Sequence, residues 1–176
     1  ILIIYYVNML FKYLCEEYFE KKCIPKQHRG PCGPPSLPVY FCMFPQHFKI
    51  TYGIQEKKLY LLYKNWLDTS HEWNTSQDID EWIYNTSIHY AHSTNVTKTV
   101  YEIKELLEQL AYNKDTFNML FTNTSSIEHK WLCRIILKDI RCGYSLKKCL
   151  GNDNYNGFLY GYSIENVFNE KYKLNF

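Results

Sequence analysis

The stretch from Ser125 to Gly143 constrains the fold more than any other part of this sequence. Ser125-Ser126-Ile127-Glu128 has the form of a capping box, in which a serine hydroxyl and a glutamate three residues on satisfy orphan N–H groups at a helix start. Gly143 stands where a C-terminal cap would close the helix. Placed on a helical wheel, Lys130, Arg134, Lys138 and Arg141 fall within an arc of about 80°. Trp131, Leu132, Ile135, Ile136 and Ile140 fill the arc from about 100° to about 280°. The segment therefore reads as a buried rod with one narrow basic stripe. Asp139 falls inside the apolar arc, where a carboxylate needs a partner, so it is expected to fix a neighbouring loop or backbone rather than to do catalysis.

The other elements follow the same period. Leu10, Phe11, Leu14, Cys15, Tyr18 and Phe19 mark a first helix, with Glu16, Glu17 and Glu20 on its other side. Leu59, Leu62, Tyr63, Trp66 and Leu67 mark a second after Gly53. A third opens with the pair Asp78 and Glu81 as a capping box and runs through Ile79, Trp82, Ile83 and Tyr90. Thr99 and Glu102 form another capping box, ahead of Val100, Ile103, Leu106, Leu107, Leu110 and Ala111. Asp115 is expected to cap a short helix through Phe117, Leu120 and Phe121. No stretch alternates with period two between hairpin turn signals, so the fold class is all-α. The expected organisation is one domain: an N-terminal helix over 1–23, a Pro-rich loop over 24–45 that holds all six prolines, and a main helical body over 46–176.

A length of 176 residues suits one domain with a real core. The longest wholly apolar run, Ile1 to Val7, falls far short of the ~20 residues a membrane span needs, so no membrane association is expected. Lysine outnumbers arginine 17 to 3 among many Asn and Tyr, which reads as genomic base composition rather than chemistry. The net charge of +2 is uninformative, but its distribution is not: residues 130–149 carry six Lys or Arg and one acid, while the remainder holds 14 basic and 17 acidic residues. A local excess of this kind is the footprint of a polyanion site. Four cations along one face suit the phosphates bordering a DNA groove better than a small anion, and an ordinary solvated face would mix signs. Seven cysteines at irregular spacing, with no C-x-x-C, read as reduced and mostly buried thiols without a zinc site. Four sequons, at Asn74, Asn85, Asn95 and Asn123, support a secreted glycoprotein as a rival, but no signal peptide is recognisable.

The residues from Glu128 through Gly143, EHKWLCRIILKDIRCG, resemble the signature of the N-terminal DNA-binding domain of eukaryotic ATP-dependent DNA ligases, closest to the ligase IV branch. Tyr52-Gly53-Ile54-Gln55-Glu56 is similar to that family's YGIKE, Asn152-Asp153 to its ND, and the N-terminal FKYLCEEYFEKK to its first-helix region. Two departures stand out. Gln46 to Thr51 replaces the family's acidic-basic pattern before the YG pair, and no K-x-D-G adenylation motif occurs. The chain starts at Ile1 and stops at Phe176, so it reads as a fragment that is expected neither to adenylate nor to seal.

The resemblance implies a helical domain that grips duplex DNA at a nick or break without reading sequence, in double-strand break repair by non-homologous end joining in the nucleus. ATP and Mg²⁺ would serve the full-length ligase, with no cofactor or metal in this fragment and no catalytic residue. Lys130, Arg134, Lys138 and Arg141 are the expected phosphate contacts, with Gly143 allowing the backbone to approach the groove. Two further readings are a helical module docking end-joining repair proteins through aromatics such as Tyr13, Tyr18 and Phe19, and an inactive gene relic.

Overall fold

The computed structural model describes residues 9–22, 37–89, 98–141, 143, 145–150 and 155–156. Tyr90, the sequon at Asn95, Asn152-Asp153, and Cys23, Cys32 and Cys142 lie outside them. The described residues form eight helices: α1 (Phe11–Leu14, extended by a π-helical turn, Cys15–Phe19), α2 (Leu37–Met43), α3 (Glu56–Leu67), α4 (Ile79–Ser87), α5 (Val100–Leu110), α6 (Thr116–Phe121), α7 (Ser126–Ile136) and α8 (Leu146–Leu150). A 3-10 turn, Pro45–His47, follows α2. Among the described residues there is no β-strand, and a lone antiparallel bridge joins Leu10 to Thr99. The all-α expectation holds.

α7 is the hub. Its closest partner is α4, and α1 with its π turn packs along another flank. Glu128, His129, Trp131, Leu132, Cys133, Ile135 and Ile136 are all buried. Each fully buried Leu, Ile or Phe contributes roughly 1.5–3 kcal/mol by leaving water, and α7 supplies such side chains to both flanks. The Phe19 ring lies 4.8 Å from Trp131, and Tyr63 (α3) and Phe121 (α6) converge on His129 from other sides.

Three local expectations fail for identifiable reasons. The 24–45 segment is not loop throughout, because residues 37–43 are α2, whose Val39, Tyr40, Phe41, Cys42 and Met43 are buried. Pro38 breaks nothing there, since first-turn N–H groups have no intrahelical acceptor to lose. Asp78 does precede α4 in extended conformation, yet its side chain makes no cap bond. Asp115 sits in the αR region rather than the extended conformation of a capping residue and makes no side-chain cap bond. Its own N–H donates to Asn113 Oδ1 at 3.0 Å. By contrast Thr99 Oγ1 accepts from Glu102 N at 3.1 Å, as expected.

The π turn of α1 is the fourth surprise. Glu20 N donates to Cys15 O at 3.0 Å, five residues back. Glu20 stays exposed, on the side opposite the apolar residues as expected, and its carboxylate still reaches Lys130 and Trp131 of α7. Cys15, Cys42, Cys133 and Cys149 are buried; burial pushes the Cys42 thiol up to about 12 and Cys15 and Cys133 up as well, so these three thiols are poor nucleophiles. No helix among the described residues is long and apolar enough to cross a membrane.

Candidate nucleic-acid interface

The start of α7 is built as its sequence dictates. Ser125 Oγ accepts from Glu128 N at 3.4 Å and Glu128 Oε2 accepts from Ser125 N at 2.6 Å, closing the capping box. Its end is not. The helix stops at Ile136, seven residues before Gly143. Lys138 takes a left-handed conformation with φ +56°. Its N–H donates to Ile135 O (3.0 Å), and Asp139 N donates to Arg134 O (2.9 Å). That pair of bonds is a Schellman cap, normally closed by glycine. Gly143 does not cap α7; it lies exposed further on with φ +78°.

The four expected cations therefore do not form one helical stripe. Lys130 and Arg134 share a face of α7, but acids from neighbouring elements cover both. Lys130 Nζ lies 2.9 Å from Glu20 Oε1, which also accepts from Trp131 Nε1 at 2.9 Å. The Arg134 guanidinium grips Asp80 Oδ2 at 2.8 and 2.9 Å, with side-chain exposures of only 14% and 5%. Arg141 lies beyond the helix and pairs with Asp139 at 2.8 Å. Asp139, expected inside the apolar arc, is exposed because the helix has already ended. Lys138 makes no ion pair among the described residues; its Nζ donates to Phe48 O at 2.9 Å, and burial lowers its pKa.

Lys138 points to a site that sequence periodicity missed. A groove of about 510 Å³ runs between the turn after α7 and the start of α3, lined by Thr51, Gly53, Gln55, Lys57, Lys58 and Lys138 among others, with no acid among the described residues that line it. Three ammonium groups from separate elements hold carbonyls of a single six-residue loop. Lys138 donates to Phe48 O, Lys114 (between α5 and α6) to Tyr52 O, and Lys58 to Gly53 O at 3.5 Å. Burial and then the nearby Lys58 charge lower the Lys114 pKa. Gly53 turns the loop with φ +63°. The only sequence sign of this arrangement was the YG pair itself, since the three lysines lie 56 and 24 positions apart in sequence, too far for any periodicity.

His129 also escaped the sequence reading. It is fully buried, its Nδ1 2.8 Å from Tyr63 Oη and its Nε2 2.9 Å from Phe121 O and 2.7 Å from Thr124 Oγ1. A carbonyl can only accept, so Nε2 carries the proton and Nδ1 accepts from the tyrosine hydroxyl. The residue joins α3, α6 and α7 and is shut off from any ligand. Among the described residues no group of three or more His, Cys, Asp or Glu is arranged to hold a metal ion.

Comparison with individually characterised proteins finds no match. The family model described as DNA ligase N terminus matches residues 11–151, from the first residue of α1 to just past α8. That span is well over half of the 176 residues and includes α7, its Schellman turn and the lysine-lined groove. The chain belongs to the DNA ligase N-terminal family.

Proposed function

We propose that this chain is the DNA-gripping part of an ATP-dependent DNA ligase of the ligase IV type, holding nicked or broken duplex DNA without reading its sequence. Its setting in this reading is nuclear double-strand break repair by non-homologous end joining. The family match over residues 11–151 is the observation that carries it. The EHKWLCRIILKDIRCG segment and the local excess of positive charge over residues 130–149 support it.

ATP and Mg²⁺ would supply adenylation and phosphodiester formation in the full ligase. This chain holds no K-x-D-G, so the proposal assigns it grip and orientation of the duplex. Lys138, Arg141 and Gly143 all sit on the turn after α7, which offers phosphates two cations and an exposed backbone. Lys130 and Arg134, paired within the seams around α7, hold that turn in place.

A docking role for end-joining proteins draws on one observation. Tyr13 is 47% exposed on α1, whereas Tyr18 and Phe19 belong to the core. Binding of the chain to labelled nicked duplexes of several unrelated sequences tests the main reading. Affinities equal within a few-fold across sequences are expected. Strong preference for one sequence, or binding to an end-joining protein without binding to DNA, would contradict it.

A further inference from the structure

We infer that the groove between the start of α3 and the turn after α7 is a built subsite for the phosphate backbone of one nucleic-acid strand, with Lys57, Lys58 and Lys138 as its ligands. The inference rests on the DNA-gripping reading and gives it a location on the molecule. Among the described residues, the ion pairs of this chain involve Lys12, Lys21, Lys104, Lys130, Arg134 and Arg141. The lysines of the groove are in none of them. Lys138 and Lys58, and Lys114 behind them, are held instead on the carbonyls of Phe48, Gly53 and Tyr52.

That arrangement leaves the ammonium groups without a neutralising acid among the described residues. Like charges gathered on one loop repel, and the partial negative charge of a carbonyl only partly offsets an ammonium. Each ammonium has three donors, and the carbonyl bonds leave donors over for an incoming oxygen. The lining adds the Thr51 hydroxyl and the backbone around Gly53, and it contains no carboxylate to repel an anion. Lys57 and Lys58 are exposed, so they reach a ligand without rearrangement of the core. The groove is open to solvent and its lysines come from two separate elements, α3 and the turn after α7, which suits more than one phosphate of a strand. A protein partner of matching chemistry would have to be an acidic segment, and nothing else in the lining favours a peptide.

The test uses the 176-residue chain, unlabelled for anisotropy and ¹⁵N-labelled for spectra. The double variant Lys57→Gln/Lys58→Gln changes two exposed side chains, and circular dichroism checks that it folds. Binding of a nicked duplex across a salt series is expected to lose about 0.9 of log–log slope per phosphate contact, so about 1.8 for this variant. Lys21→Gln, on a lysine paired with Glu17, is expected to leave the slope unchanged. In the labelled chain, the Gly53, Gln55 and Lys57 amides are expected to shift with duplex, and to shift with inorganic phosphate only at far higher concentration. A wild-type chain that binds duplex while the double variant keeps its slope would overturn the groove and leave the DNA-gripping reading intact. Saturation by inorganic phosphate more tightly than by duplex would replace the strand with a small anion. A folded chain that binds no duplex at low salt would overturn both, and shifts with a polyglutamate peptide alone would reassign the groove to an acidic protein.

Discussion

Glu128 serves the α7 cap with one oxygen, while the other, Oε1, is buried without a hydrogen-bond partner. Burial raises its pKa above the ordinary 4.5, and the opposing pull of the Ser125 hydrogen bonds and of Lys98 and Lys12 does not reverse this. A carboxyl raised in the fold contributes its stability fully below the unfolded value and loses it as pH rises through the folded value. Glu128→Gln keeps a side chain that fits the capping box and removes the charge. It is expected to melt at or above wild type at pH 7, with a smaller loss of stability as pH rises above the ordinary carboxylate range. Glu128→Ala is expected to lose about 1 kcal/mol with the cap. Thermal melts across pH decide the matter, and a Gln variant well below wild type at neutral pH would contradict it. Arg134 and Asp80 make the other residue-scale claim. Removing either partner strands a buried charge, so Arg134→Ala or Asp80→Ala is expected to cost about 3–5 kcal/mol in chemical denaturation. The double exchange to Met and Leu is expected to recover most of that, which a phosphate-contacting arginine would not do.

At the scale of elements, the sequence was most legible where the signal is local. The Ser125–Glu128 box, the Thr99 half of the box read at Thr99 and Glu102, the α3 run from Leu59 to Leu67 and the buried arc of α7 formed as read, because each depends on residues within one or two turns. The end of α7 was illegible for a physical reason. Lys138, Ile140 and Arg141 continue the amphipathic period, so nothing in the pattern marks Ile136 as last, and the cap is a lysine whose left-handed backbone is anchored by its bond to Phe48 O. Likewise the acids that neutralise Lys130 and Arg134 come from Glu20 and Asp80, 110 and 54 positions away, and only tertiary packing brings them in. The cap geometry is checkable. Lys138→Val forces a β-branched residue to φ above zero and is expected to cost about 1–2 kcal/mol more than Lys138→Gly, which relieves the backbone. Equal denaturation midpoints for the two variants would argue against the Schellman cap. Trp131 anchors α7 against Phe19 and Glu20, so Trp131→Ala is expected to cost about 3–5 kcal/mol. A loss under about 1 kcal/mol would show that α1 does not depend on it.

On the scale of the whole molecule, packing sorts the cations into two populations. Those along α7 are spent on acids of adjacent helices and hold the fold, while Lys57, Lys58 and Lys138 gather around one groove with no acid in its lining. The sequence placed the charge excess of residues 130–149 on one helix face, since it could not show that the loop after Phe48 folds back onto the end of α7. On the proposed DNA-gripping reading, grip on a nucleic-acid backbone would depend on few, clustered contacts and be weakened by salt. The most direct test is fluorescence anisotropy of the chain with nicked duplex DNA across a salt series. The account predicts binding at low salt with a log–log slope of about −2 to −4, as two to four released counterions require. A folded chain that fails to bind at low salt, or binds with a slope near zero, would contradict it.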